Sequence, residues 1–334
     1  MISDRPLIGL LFVFAFCLLA PLGDALVKVV GMGAPLMVLL LSRFVFQAVS
    51  LAPVVLLSGR EFPTDRRIFG LICLRSLFHI LGIGMMFTAL RLLPLADAIA
   101  IVFVFPFILL FLGRFVLGEE VGRDRIIACV LGFGGCLLVI KPSFAEVGIV
   151  ALLPVAVAFA FSIFMLITRS IAKECDPISL QATSGGISTA MLLFVWLVAG
   201  LGAGLGAGLG VGHAAPYDLT IMLPASERIA WLLLAIGALG TAGHLCMTIA
   251  LRFAPSATLA PLQYVEIPIA TFLGWLFFEE LPDGLAALGI MITIGAGIFV
   301  VMSERQTLST QAAKKAETAE TAETAEKSTG AASK

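Results

Sequence analysis

The sequence predicts an all-α integral membrane protein of ten transmembrane helices, arranged as two inverted five-helix repeats. Three observations carry that prediction. Hydrophobic residues make up 60% of the 334-residue chain and charged residues only 13%, against roughly 25% in an ordinary soluble domain. The apolar residues lie in runs long enough to cross a bilayer. Two stretches about 160 residues apart share one pattern.

A soluble protein with a mean hydropathy of +1.09 would lack polar residues for its surface, so the lipid bilayer is its solvent. A net charge of −1 provides no field for nucleic acid, and no such partner is expected. Cys17, Cys73, Cys129, Cys136, Cys175 and Cys246 form no CxxC and no Cys/His cluster. They read as small buried apolar residues, and neither a metal nor a cofactor is expected. Arg5 ahead of an apolar run has the look of a signal peptide. However, the run continues past Pro21, no A-x-A site follows, and Asp24 and Lys28 occupy its far half. It reads as a retained first helix.

A hydrocarbon core of about 30 Å needs about 20 helical residues. Cutting the apolar runs at polar and Gly/Pro breaks gives spans near 7–30, 35–57, 68–90, 95–117, 126–140, 147–168, 178–199, 229–250, 257–277 and 284–302. The fifth is short and must borrow residues from its flanks. None alternates as a barrel strand would. This divides the chain into an N-terminal segment 1–6, a first repeat 7–140, a second repeat 147–302 and a tail 303–334. "AGLGAGLGAGLGVG" at 199–212 reads as a low-complexity loop inside the second repeat. "AETAETAETAE" marks the tail as disordered.

With the N-terminus in the cytoplasm, the cytoplasmic loops carry Arg5, Arg60, Arg66, Arg67, Arg123, Arg125, Arg169, Lys173, Arg252 and Arg305. The external loops carry only Arg91, Lys141 and Arg228. This excess is the positive-inside bias, and it puts both termini in the cytoplasm.

"ALRLLPLADAIA" from Ala89 matches "ALRFAPSATLAP" from Ala250. Each is followed by an apolar run holding Pro106 or Pro268, then by an acidic pair, Glu119–Glu120 or Glu279–Glu280. Fifteen residues beyond each pair stands a glycine, Gly135 or Gly295. Five helices is an odd number, so the second half enters the membrane from the opposite side. Inverted halves around a central cavity suit alternating access.

On these residues the chain resembles the drug/metabolite transporter superfamily, in its EamA-like ten-helix branch. Arg43–Phe44, "ALRLLP" at 89–94, "PFILLFLGRFVLGEE" at 106–120 and "APLQYVEIPIATFLGWLFFEELPDG" at 260–284 carry the resemblance. It covers residues 7–302 and implies a secondary carrier of the cell inner membrane with both termini inside. The glycine-rich stretch departs from the pattern. Within the branch, "APLGDALVK" at 20–28 and "LRSLFHILGIG" at 74–84 resemble riboflavin and S-adenosylmethionine uptake carriers.

An ionisable group at mid-bilayer is costly unless it faces a cavity or a partner. Glu266, near the middle of the ninth span and two residues before Pro268, is the leading candidate to bind substrate or carry a coupling proton. Gln263 and Tyr264 stand one turn earlier as further candidate contacts. Arg75 and His79 are four apart on the third span and share a face; Arg75 contacts substrate or snorkels to the interface, and His79, deeper, is a candidate substrate contact that can donate, accept or titrate, or else a packed histidine. Asp24 and Lys28, also four apart, read as a mutual salt bridge or a gate. Arg43 reads as the partner of an acid across the bundle. His244 reads as a packed histidine, Asp97 as a first-turn acid, Arg114 as a snorkelling cation, and the two acidic pairs as helix-end signals. "GFGGC" at 132–136 and Gly295 read as helix-packing positions.

These features point to a secondary transporter of a small polar metabolite, with riboflavin uptake first and S-adenosylmethionine uptake or amino-acid or drug export as alternatives. No GxxxxGK[ST] loop supplies ATP binding, so an ion or substrate gradient, with a proton as one choice, drives the cycle. A membrane-embedded transferase would need a clustered acid/base or metal site. With only three scattered histidines and no HExxH, an enzyme is not expected. The lipid bilayer is the other partner, and a homodimer is left open.

Overall fold

The computed structural model describes residues 6–117, 123–208, 226–253, 259–296, 298–299 and 302. The described residues are mostly helical and contain no strand. The helices are α1 (Pro6–Val30), α2 (Leu36–Leu57), α3 (Arg66–Leu90), α4 (Leu95–Val102), α5 (Phe105–Leu117), α6 (Arg123–Val147), α7 (Leu153–Ile171), α8 (Pro177–Gly208), α9 (Glu227–Phe253), α10 (Glu266–Phe278) and α11 (Gly284–Ala296). Seven stretches among the described residues are long and apolar enough to cross a bilayer. Three shorter apolar helices, Ile126–Val139, Leu262–Phe278 and Gly284–Ala296, accompany them. Leu11, Phe14, Leu18, Trp231, Phe272 and Trp275 lie exposed on the outside, a surface suited to hydrocarbon rather than water. This is a multi-pass membrane protein.

The helix ends follow local chemistry. Gly59, at φ +66°, closes α2 as its left-handed residue, with Arg60 N bonding back to Val55 O at 3.1 Å. Asp65 caps α3 by accepting from Ile68 N at 3.0 Å, and Asp176 caps α8 by accepting from Ile178 N and Ser179 N at 3.0 and 3.1 Å.

Three spans depart from the sequence expectation. The fourth is two helices, α4 and α5, separated by a turn at Phe103–Val104, and α5 opens with Pro106 in its first turn, where a missing N–H costs nothing. The ninth begins as a 3₁₀ segment, Ala260–Val265, before α10. In the seventh, α8 runs on through the first part of the glycine-rich stretch to Gly208; 209–212 and the tail lie outside the described residues. The fifth span does borrow from its flanks, giving the 25-residue α6.

α1 packs on α9, α3 on α7, α2 on α8, and α4 on α10. Glycines bring some of these axes close. A Cβ at Gly185 of α8 would meet Ala48 N of α2 at 2.9 Å, and one at Gly237 of α9 would meet Phe46 Cβ of α2 at 2.6 Å. Gly135 of α6 faces Thr293 and Gly289 of α11, where a Cβ would meet the Gly289 carbonyl at 2.6 Å, whereas Gly295 has open space around it. The packing glycine of α11 is therefore Gly289.

The two ends of the bundle are held by different contacts. At one end, Asp176 pairs with Arg60 and lies 3.9 Å from Arg252, Arg67 pairs with Glu174 at 3.2 Å, and Arg169 donates to Leu251 O at 2.6 Å. At the other, Lys28 pairs with Glu280 at 2.8 Å, and Arg91 donates to Ala34 O at 2.7 Å.

Candidate substrate-binding site

A cavity of about 90 Å³ lies inside the bundle, lined by α1, α2, α3, α4, α5, α7, α9 and the first residue of α10. That is room for several waters. Its wall is mostly apolar, with Phe16, Phe78, Phe87, Phe103, Phe105 and Phe161 prominent. Five ionisable side chains interrupt it: Asp24, Arg43, His79, His244 and Glu266. Ionisable groups that cluster at a shared interior space, rather than facing lipid, mark a substrate or ion path.

Glu266 reaches this wall because the 3₁₀ segment hands over to α10 at that residue. It is the first-turn acid of α10, where the positive end of the helix dipole favours a carboxylate. Pro268 falls in the same first turn, where its missing N–H breaks no intrahelical bond, so it does not kink the helix. Asp24 of α1 lies within electrostatic reach of both Glu266 and Arg43. Arg43 crosses from α2 to α9, where its Nη2 donates to Gly240 O at 3.4 Å. Only a glycine leaves that space, since a Cβ at Gly240 would collide with the guanidinium.

His79 of α3 and His244 of α9 sit together, with ring centroids 4.4 Å apart. Phe44 meets the His79 ring edge-on at 5.1 Å, and Phe16 and Phe164 meet His244 edge-on at 5.8 and 5.6 Å.

The remaining expected site residues lie elsewhere. Arg75 is fully buried outside the cavity wall. Its Nε donates to Thr168 Oγ1 and its Nη1 to Ser184 Oγ, both at 2.7 Å, while Nη2 donates to Gln181 Oε1 at 3.4 Å. Its guanidinium also lies 4.3 Å from the centre of the Phe164 ring. Gln181 extends the network by donating to Thr248 Oγ1 at 2.9 Å, and Gln47 Nε2 donates to Gln181 Oε1 at 3.0 Å. Arg75 therefore does not snorkel; it is held among α3, α7 and α8. Tyr264 is buried against Phe103, with ring centroids 5.2 Å apart. Gln263 is buried, its Nε2 3.3 Å from Met247 Sδ. Lys28 pairs with Glu280 rather than Asp24, and also donates to Leu93 O at 2.7 Å. Asp97 is buried in the first turn of α4 and Arg114 is exposed. Glu119 and Glu120 lie outside the described residues.

Two features of the site escaped the sequence reading. His244 reads in the sequence as a packed histidine, and no local signal separates it from one, yet it lines the cavity. The turn at Phe103–Val104 had a signal in the Pro106 that follows it.

The model of the EamA-like transporter family matches twice, over residues 7–141 and 148–303. The chain belongs to the EamA-like transporter family. Several relatives are similar over two thirds or more of their length. A riboflavin transporter of Rhizobium johnstonii is 29% identical over 69% of this chain and 69% of its own. An S-adenosylmethionine uptake transporter of Rickettsia prowazekii is 24% identical over 80% of this chain and 84% of its own. A pseudopaline exporter of Pseudomonas aeruginosa is 26% identical over 65% of this chain and 67% of its own. A solved crystal structure at 16% identity covers 91% of this chain and 99% of its own with a TM-score of 0.63, which supports the fold alone.

Proposed function

We propose that the protein is a secondary transporter that takes up riboflavin across the cell inner membrane by alternating access. The observation that carries this reading is the cavity, where Asp24, Arg43, His79, His244 and Glu266 meet inside a phenylalanine-rich wall. A flat isoalloxazine ring suits aromatic walls, and its hydroxylated chain suits carboxylates; the cavity, with room for several waters in this conformation, widens to admit the cargo when the bundle opens. Riboflavin transporters in Rhizobium johnstonii and Brucella anthropi, 29% and 24% identical, support the choice of cargo.

Alternating access is supported by the pairing of helices. If residues 7–140 and 147–302 are inverted counterparts, α1 on α9 and α3 on α7 are the same contact made twice. α2 on α8 and α4 on α10 are then contacts across the pseudo-two-fold axis. The breaks before α5 and before α10 fall in corresponding spans beside the cavity, as expected where discontinuous helices build a transport site. The positive-inside bias orients both termini to the cytoplasm. Glu266 is the group best placed to carry a coupling proton.

S-adenosylmethionine uptake is the second reading. Asp24 and Glu266 within reach of one another would suit a sulfonium or amine. An exporter of an amino acid or drug would use the same fold.

Uptake of labelled riboflavin by cells expressing the chain, beside empty-vector and Glu266→Gln cells, tests the proposal. Saturable uptake above vector that is lost in the variant at equal membrane expression is the expected result. Uptake equal to vector by a correctly inserted protein overturns riboflavin import. Uptake that survives in the variant retains the cargo and removes Glu266 from the mechanism.

A further inference from the structure

His79 and His244 carry hydrogen-bonding capacity that the protein itself leaves unused. They are 2% and 6% exposed. Neither ring nitrogen of His79, nor Nδ1 of His244, has a hydrogen-bond partner among the described residues. Burying such atoms without a partner is costly, and two phenylalanines would fill the same space at no such cost. Edge-on contacts from Phe44 to His79 and from Phe16 and Phe164 to His244 hold both rings in orientation. Both rings line the cavity.

The surrounding charges narrow the ligand chemistry. Arg43 and Arg75 are charges that act on both imidazoles, whereas Asp24 and Glu266 act on each other. The cavity wall thus carries both imidazoles, with positive charge beside them, and both carboxylates, with Arg43 acting on the imidazoles and on Asp24 alike. Positive potential repels an ammonium or sulfonium and favours electron-rich carbonyl oxygens. A neutral imidazole presents one donor and one acceptor, so two side by side complement an edge that alternates carbonyl acceptors with an N–H donor. Two imidazoles alone do not make a metal site, and no group of three metal-ligating side chains occurs among the described residues.

We propose that His79 and His244 form a subsite that reads the imide edge of a planar nitrogen heterocycle, with the stacked pair of Phe16 and Phe161 beside it. The hydroxylated or amino-bearing substituent is left to Asp24 and Glu266 on the same wall. The subsite rests on the reading of the cavity as the cargo site, and it assigns cargo selectivity to a histidine from each half of the chain.

The test compares riboflavin with its N3-methyl derivative, which blocks the imide donor without touching the protein. Binding is measured by flavin fluorescence quenching with the full chain in nanodiscs, for wild type, His79→Leu, His244→Leu, His79→Gln and His244→Gln. Wild type is expected to prefer riboflavin by about tenfold, the worth of one good hydrogen bond. The leucine variants lose that preference, and the glutamine variants, which keep a donor and an acceptor, recover part of it. Equal binding of the two flavins by wild type, or full discrimination by both leucine variants, overturns the subsite while leaving riboflavin as cargo. Failure of wild type to bind either flavin overturns the cargo reading and the imide subsite with it. Size-exclusion profiles identify any variant that misfolds, and the wild-type comparison of the two flavins stands independently of them.

Discussion

Arg75 on α3 donates from Nε to Thr168 Oγ1 on α7 at 2.7 Å, and both side chains are fully buried. This bond joins a helix of the first half to one of the second, on the side of the cavity nearer Asp176 and Arg252. A guanidinium with several fixed acceptors is well suited to such a junction, since its donors diverge in a rigid plane.

Arg75→Ala is therefore expected to lower stability before it lowers affinity. Hydrogen bonds from a charged donor are worth roughly 1.5–3 kcal/mol each, and part of that is recovered by water or neighbouring side chains. Thermal unfolding in detergent, followed by tryptophan fluorescence, should fall by several degrees, with Arg75→Lys intermediate. If the melting temperature holds while riboflavin affinity collapses, Arg75 is a substrate contact instead.

The Lys28–Glu280 pair at the opposite end ties α1 to the residues after α10. Glu280 also accepts from Leu95 N at 3.3 Å, bringing in the start of α4. The pair is partly buried, at 14% and 32% side-chain exposure. Lys28→Met and Glu280→Gln should each cost on the order of 1 kcal/mol and change the uptake rate in the same direction. The Lys28→Met/Glu280→Gln double variant should lie nearer wild type than the sum of the singles. Strict additivity in that cycle would show that the two residues do not act on one another.

Gly135 and Gly289 set the approach of α6 to α11. Gly135→Val places a branched side chain where Thr293 and the Gly289 carbonyl already stand. Overpacking of this kind typically costs about 1–3 kcal/mol. Membrane yield and melting temperature should drop for Gly135→Val and for Gly289→Val. Gly295→Val, with open space around it, should behave as wild type. A drop at Gly295 equal to that at Gly289 would contradict this packing.

Glu279 closes α10 in the left-handed conformation at φ +57°, and its side chain is exposed. The conformation costs a non-glycine residue about 1 kcal/mol. Glu279→Gly should raise the melting temperature by a few degrees with no change in uptake. A lower melting temperature would mean that the Glu279 side chain contributes more than its backbone costs.

The spans were legible because hydropathy is a local property: twenty consecutive apolar residues announce a crossing whatever surrounds them. Glu266 stood out for a related reason, as a charge in the middle of such a run. Pairing was not legible. Asp24 and Lys28 are four apart on α1 and read as partners, but Lys28 pairs with Glu280, while Asp24 lies on the cavity wall with Arg43. Arg75 and His79 share a helix face by spacing, yet one enters a polar junction and the other the cavity wall. His244 gave no sign at all, because what distinguishes it is the histidine opposite, which is 165 residues away in the chain.

The sequence by itself thus determined the solvent of this protein, the helical class and the family, all of which follow from composition, run length and short motifs. Only the tertiary structure decided which buried polar groups meet. That choice depends on which helices pack together and how each is rotated about its axis. Both are settled by non-local contacts, such as the space that Gly240 leaves for Arg43, that no window along the chain contains.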